Sequence, residues 1–281
     1  LSGTLYLVAT PIGNLEDITL RALRVLREAD LVAAEDTRRS LGLLAHFEIK
    51  KPLISYYEHN KRLREQELLD LLRQGKNIAL ITDAGTPALS DPGADLAAAA
   101  LAAGLPVVAV PGASALLTAL AMSGWGGSPF CFEGFLARDR TERRRRLREL
   151  ADERRVMAFY EAPHRLSALL EDMEAVFGAD RRLVLCRELT KLHEEQLRST
   201  VAELRQLFQK REPRGEFVVL AAGAPEAAAA VAEPERLSEA MEELLDQGLS
   251  RKEAARSLAE QYGLRVKDVY DLGLRLDKQG L

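Results

Sequence analysis

Short apolar runs rich in β-branched residues punctuate the first half of the chain, at residues 5–9, 31–34, 53–55, 77–82 and 107–110. Between them lie longer stretches, 17–28, 61–73 and 92–103 among them, in which leucines recur three or four apart. The first pattern is that of buried strands and the second that of amphipathic helices. Their alternation predicts a mostly parallel sheet with helices on its faces. Asp91 before Pro92 reads as an N-cap with proline at the first helical position, and Ser114 stands where the next helix should begin. The uncharged stretch 96–123 is broken by Gly104, Pro106, Pro111 and Gly112, so it reads as helix, strand, loop, helix rather than as a membrane span.

A glycine-rich hinge, Gly124-Trp125-Gly126-Gly127, closes this block. Beyond it, strand-like runs at 130–135, 156–160, 183–186 and 217–221, joined by helical stretches, predict a second α/β domain. An alanine-rich linker over 224–234 leads to a segment of different character. There Ser250 and Glu253 form a capping-box pattern, the helix they open can stop at Gly263, and another amphipathic stretch comes after it. The expected organisation is therefore a parallel-sheet α/β domain over 1–123, a second α/β domain over 124–223, a linker over 224–234 and a helical module over 235–281.

Composition narrows the class. The 281 residues carry 39 Lys+Arg against 43 Asp+Glu, a formal net charge of −4, with 47% hydrophobic residues. That balance excludes a globally basic nucleic-acid coat and an acidic disordered tail alike. Cys131 and Cys186 make neither a disulfide framework nor a metal-ligand spacing, which suits a reducing cytoplasm. The first ten residues lack the basic flank and long apolar core of a secretion signal, so export is not expected.

In an open parallel sheet, ligands bind outside the carboxyl ends of the strands. The segments immediately after the runs are 10–14 (TPIGN), 35–38 (EDTR), 56–60 (YYEHN), 83–93 (DAGTPALSDPG) and 111–114 (PGAS). Any one of them alone reads as an ordinary turn, since Gly, Pro, Ser and Asp are turn residues. Together at one sheet edge they predict a ligand cleft, where glycine admits close backbone approach and a helix N-terminus at Pro92 or Ser114 offers N–H groups to an anion. No G-x-G-x-x-G comes after the first strand, and neither a P-loop nor a G-x-S-x-G elbow occurs. His46, His59, His164 and His193 show no metal-ligand spacing, so no metal site is expected.

Six segments carry a specific resemblance: 8–14 (VATPIGN), 35–38 (EDTR), 83–93 (DAGTPALSDPG), 110–115 (VPGASA), 160–165 (YEAPHR) and 188–195 (ELTKLHEE). By these, the chain resembles the tetrapyrrole methylase superfamily and, within it, the branch that methylates the 2′-O-ribose of a cytidine in small-subunit (16S) ribosomal RNA. The resemblance implies two α/β domains with S-adenosyl-L-methionine in the cleft between them, a small C-terminal helical module, and a homodimer. It places Pro11, Asp83, Ala84, Gly85, Thr86, Leu89, Ser114 and Ala115 at cofactor-contacting positions, with Tyr160 and Glu161 facing them from the second domain. Gly85-Thr86-Pro87 stands where the wider superfamily has G-D-P, a departure shared by the rRNA branch.

The donor's methyl is activated by its sulfonium, so the protein must chiefly align an in-line displacement and find an acceptor for the hydroxyl proton. Glu161, His164, Glu188 and Lys191 are the candidate bases or orienters. Singly, each also reads as an N-terminal helix turn or a surface charge pattern, and the resemblance supplies no base. A lysine could act neutral if desolvated, or hold a phosphate as a cation. Residues 138–155 contain nine arginines against five acids, a local excess that suits RNA phosphates. The expected RNA contacts are Arg38, Arg143, Arg144, Arg145, Arg146 and Arg165, with small-subunit rRNA or the assembled small subunit as partner and no membrane. Two rival readings remain, a methylase of a small tetrapyrrole precursor and a nucleic-acid-binding regulator with a helix-turn-helix over 250–276. The first needs no arginine tract and the second would need a basic recognition helix.

Overall fold

The computed structural model describes residues 2–89, 93–225, 234–262, 266, 269 and 270. The expected N-cap at Asp91 and Pro92, most of the 224–234 linker, the stop at Gly263 and most of the positions beyond Gly263 lie outside the described residues. Strands β1 (Leu5–Val8), β2 (Leu31–Ala34), β3 (Leu53–Ser55), β4 (Ile78–Ile81) and β5 (Val107–Val110) pair in parallel in the order β3-β2-β4-β1-β5. The pleat sorts their side chains between two cores. Leu5, Leu31, Ala33, Ile78 and Leu80 face α3 (Lys61–Arg73) and α4 (Gly93–Ala102), meeting Leu68, Leu72, Leu96 and Ala100. Val8, Val32, Ala34, Ala79 and Ile81 face α1 (Leu20–Glu28) and α2 (Thr37–His46), meeting Val25, Leu26 and Leu44. The central β2 and β4, buried along their whole length, are continuous apolar runs, which is what makes them legible in sequence.

The second sheet is mixed. Strands β6 (Phe130–Phe135), β7 (Val156–Glu161), β8 (Arg182–Arg187), β9 (Glu195–Thr200) and β10 (Phe217–Ala221) lie in the order β6-β7-β10-β8-β9. Only β6 and β7 run parallel; β10 is antiparallel to both its neighbours, and β8 and β9 form an antiparallel pair. One face, with Met157, Phe159, Leu183, Leu185, Phe217 and Val219, packs on α6 (Arg140–Glu149), α7 (Pro163–Phe177) and α8 (Val201–Lys210). The other face, with Val156, Ala158, Val184, Cys186, Val218 and Leu220, takes Leu116, Ala119 and Leu120 of α5 (Ala115–Ser123). The helix that succeeds the last strand of the first sheet thus buries its apolar stripe on the second, joining the two sheets. Arg198 of β9 adds to this joint by donating to the carbonyls of Met122 and Ser123.

β9 was not anticipated from the sequence. It is an edge strand of composition EQLRST with no fully buried residue, so it lacks the alternation that marks a half-buried strand. Helix starts obey ordinary capping chemistry: Asp139 accepts from the Glu142 amide, Thr200 and Glu203 close a capping box, and Pro163 opens α7.

The structure divides into two compact units, residues 1–222 and 223–281. In the second unit α9 (Pro234–Asp246) and α10 (Arg251–Tyr262) pack through Leu237, Met241, Ala254, Ala255 and Leu258. The Ser250 hydroxyl and Glu253 carboxylate reciprocally cap α10, as their spacing predicts. Among the described residues no helix is long and apolar enough to cross a membrane.

Candidate active site

The loop after β1 and the loop after β4 are tied by a two-way backbone bridge. Thr10 N–H donates to the Gly85 carbonyl at 2.9 Å and Gly85 N–H to the Thr10 carbonyl at 3.0 Å. Gly85 has φ +84°, a region that L side chains rarely adopt, and a Cβ there would stand 3.3 Å from Ile12 Cγ2. Thr86 Oγ1 donates to the Ala113 carbonyl at 3.2 Å, fastening the β4 loop to the one after β5. Ser114 caps α5, its hydroxyl accepting from Leu117 N–H. Beside them, Thr82 Oγ1 donates to Glu35 Oε2 at 3.0 Å, and Asp83 accepts from the Asp36 amide at 3.1 Å and pairs with Arg39 at 3.2 Å.

From the second sheet comes the end of β7. Tyr160 is held by an edge contact to Phe132 and a tilted one to Phe135, with ring centroids 4.9 and 5.5 Å away. Glu161 is only 2% exposed. Its Oε1 accepts from Ala162 N–H at 2.9 Å and lies 3.3 Å from Arg165 Nε, while its buried Oε2 has no hydrogen-bond partner among the described residues. Burial raises the Glu161 carboxyl above its ordinary value, against the opposing pull of the Ala162 N–H and Arg165.

These loops enclose a cavity of about 610 Å³ between the sheets. Asp83, Ala84, Gly85, Thr86, Leu89, Ser114, Ala115, Tyr160 and Glu161 all line it, nine of the ten positions singled out for the cofactor. Pro11 lies instead on a neighbouring cavity of about 400 Å³, which shares Ile12, Thr82, Asp83, Ala84 and Glu216 with the first. Of the four acid-base candidates, Glu161 and His164 line the larger cavity and Lys191 the smaller. Glu188 lines neither, since Glu188 Oε1 accepts from Lys191 Nζ at 2.8 Å and from the Glu216 amide at 2.9 Å. Lys191 also donates to Glu216 at 2.9 Å. Burial alone would lower the Lys191 ammonium, but these two carboxylates outweigh it and raise it, so the lysine stays a cation. Burial alone would raise Glu188, and the Lys191 contact and Glu216 N–H outweigh that and hold it below the usual carboxylate range.

The arginine tract divides in a way that composition does not reveal. Arg143 is 5% exposed and its guanidinium meets Asp172 of α7 at 2.6 Å; Asp172, itself fully buried, also takes Arg144 at 2.6 Å and Arg140 at 3.2 Å. Arg165 donates to the Leu136 and Ala137 carbonyls as well as lying against Glu161. The expectation of RNA contacts is therefore corrected for Arg143 and Arg165, whose guanidiniums are internal ties. Arg146 is half-exposed and paired with Glu133 and Glu149, Arg38 is exposed at the start of α2, and Arg145 is exposed with no ion pair among the described residues.

Several lining residues were missed from the sequence, Glu216, Phe217 and Val218 among them. Phe217 pairs with Glu161 on one side and Arg187 on the other, so the start of the antiparallel β10 lies at the cleft beside the ends of β7 and β8. Inspecting the residues after each strand finds a site on parallel strands and overlooks an antiparallel one. The orientation of β10 is the missing signal.

Comparison with known proteins agrees with this geometry. The family model for Tetrapyrrole (Corrin/Porphyrin) Methylases matches residues 4–205. The chain is 47% identical over 279 residues to a Ribosomal RNA small subunit methyltransferase I from Synechocystis, covering 99% of this chain and all of that one. It is 50% identical to the protein of the same name from Thermotoga maritima, covering 79% of this chain and 99% of the other. Among solved structures, uroporphyrin-III-C-methyltransferase from Thermus thermophilus superposes with a TM-score of 0.56 at 26% identity, covering 78% of this chain and 94% of that one. A sheet-bridging cleft assembled from these loops, and matches that extend through nearly the whole chain, lead to one assignment: the chain belongs to the tetrapyrrole methylase family.

Proposed function

We propose that the chain is an S-adenosyl-L-methionine-dependent methyltransferase that methylates the 2′-O-ribose of a cytidine in small-subunit (16S) ribosomal RNA. The observation that carries this reading is the near-full-length identity to proteins named for small-subunit rRNA methylation, joined to a cleft of fitting chemistry. The cleft suits the donor on three counts. Backbone at Ala84 to Thr86 is open to close approach because Gly85 carries no side chain. The larger cavity is lined by Glu35, Asp83, Glu161 and Glu216 and by no lysine or arginine among the described residues, which favours a cationic ligand. The orphaned Glu161 Oε2 is a buried acceptor waiting for a donor.

When bound, the donor supplies a methyl already activated for displacement. The protein's share is to orient the acceptor hydroxyl and receive its proton. Glu161 and His164, which line the cleft, are the proposed groups for that proton. Lys191, held as an ammonium, is read as a cation rather than a base, and Glu188 as the group that positions it. Arg38, Arg144, Arg145 and Arg146 are read as the RNA-facing cations. A homodimer and a cytoplasmic location complete the proposal.

The test supplies radiolabelled S-adenosyl-L-methionine to small ribosomal subunits lacking their modifications, to naked small-subunit rRNA and to a tetrapyrrole precursor in parallel, with nucleoside analysis of the products. Label is expected as 2′-O-methylcytidine. Label in the tetrapyrrole alone, or in no substrate, would overturn the reading.

A further inference from the structure

We propose that the smaller cavity is the acceptor site, taking one ribonucleotide of the RNA strand with its phosphate between Arg39 and Lys191. The inference rests on the reading of the chain as an RNA ribose methyltransferase. Three observations support it.

The first is position. Methyl transfer needs the reacting atoms within about 3–3.5 Å of each other, so donor and acceptor cavities must abut. The smaller cavity shares five wall residues with the larger, Ile12, Thr82, Asp83, Ala84 and Glu216. Its volume of about 400 Å³ falls within the usual range for a small-ligand site, roughly 300–1,000 Å³.

The second is charge. The larger cavity carries four carboxylates and no lysine or arginine among its described lining residues, a poor place for a phosphate. Both cations of the pair line the smaller one. Only the smaller cavity thus offers an anion any lysine or arginine, and a phosphate there would compete with Asp83 and Glu216, which line both cavities and pair with these two cations.

The third is construction. The Lys191 stem lies where Gly13 has no side chain, since a Cβ on Gly13 would come within 2.4 Å of Lys191 Cγ. Glu188 is seated in the same way against Gly215, where a Cβ would fall 2.5 Å from its Cγ. Two glycines therefore make room for a lysine fixed at the cavity wall by two carboxylates, unlike a surface lysine sweeping through solvent. Arg39 of α2 lines the same cavity, with a side chain 69% exposed and, among the described residues, one ion pair, to Asp83 at 3.2 Å. Exposed pairs of this kind are weak, so the guanidinium can turn to a phosphate oxygen.

Gly42 supplies the test. It lines the smaller cavity only, and a Cβ there meets nothing within 4 Å. Gly42→Trp fills the cavity from a helix position that tolerates a side chain. Affinity for S-adenosylhomocysteine is measured by calorimetry, and methyl transfer is measured over a range of concentrations of unmodified small subunits. Gly42→Trp is expected to keep its S-adenosylhomocysteine Kd within about twofold while KM for subunits rises about tenfold or more, the span of roughly 1.4 kcal/mol. Arg39→Gln is expected to raise KM and to flatten the salt dependence of RNA binding by about one charge. A wild-type KM in Gly42→Trp would overturn the acceptor assignment alone. Loss of S-adenosylhomocysteine affinity in both variants would also overturn it, by placing this cavity within the donor site. If the wild-type protein labels no RNA, the methyltransferase reading falls and the assignment falls with it.

Discussion

At Glu161 one carboxylate oxygen is held and the other is not, and its titration reflects that. Burial lifts its pKa above the ordinary 4.5. An acid whose folded pKa is raised binds its proton more tightly in the fold, so stability declines as pH climbs from the ordinary value through the raised one and stays lower above it. Glu161→Gln removes that titration. The variant should melt above wild type at pH 7, with the difference vanishing near pH 4, as calorimetric scans at the two pH values would register. Its affinity for S-adenosylhomocysteine should fall about tenfold, in keeping with loss of a hydrogen bond to a charged acceptor. Gly85 gives a sharper test of the same cavity. A β-branched residue at φ +84° costs roughly 1–3 kcal/mol in backbone strain and places its Cβ against Ile12. Gly85→Val should retain native far-ultraviolet circular dichroism and lose measurable calorimetric binding of S-adenosylhomocysteine; unchanged affinity would remove Gly85 from the site.

Among the elements, α6 illustrates how a charge run divides once it packs. Asp172 on α7 gathers Arg140, Arg143 and Arg144 and fastens one helix to the other. Burial alone would raise Asp172, and the three guanidiniums outweigh it, holding the carboxyl below its ordinary 3.8. A depressed folded pKa contributes stability that is complete above the ordinary value and is lost as pH falls through the folded one. Asp172→Asn leaves Arg143 buried without its counter-charge and should cost about 3–5 kcal/mol at pH 7. Urea titrations should show that deficit shrinking as the pH drops below 3.8. An equal deficit at every pH would mean that shape rather than charge holds the two helices. Residues 138–155 are locally basic by count, yet packing withdraws one arginine of α6 entirely and half-buries another. The cations left at the surface are the ones on which RNA binding should depend.

Across the whole molecule, every described residue lining either cavity lies between Thr10 and Val218, inside the first compact unit. That unit has apolar cores on both faces of both sheets. A chain ending at Pro225 should therefore fold cooperatively and bind S-adenosylhomocysteine as tightly as the full chain, with thermal melting and calorimetry as the readouts. Failure to bind would show that the second unit supports the cleft. The same scale explains how the site comes together at all: α5 leaves the first sheet to pack on the second, so the β4 and β5 loops and the end of β7 face one cavity.

The sequence by itself determined the strands of the first sheet and the loops that succeed them, because continuous apolar runs and turn chemistry are local properties, and nine of the ten positions proposed for the donor line one cavity. It also determined the caps of α5 and α10, each a matter of a few adjacent residues. Only the tertiary structure decided that β10 runs antiparallel and brings Glu216 to the cleft, that Arg143 and Arg165 face inward, and that Lys191 is held as a cation by Glu188 and Glu216. Apart from the local Lys191–Glu188 contact, these depend on segments that meet across 25 or more residues of chain, where burial and neighbouring charge set the state of a side chain and its own identity does not.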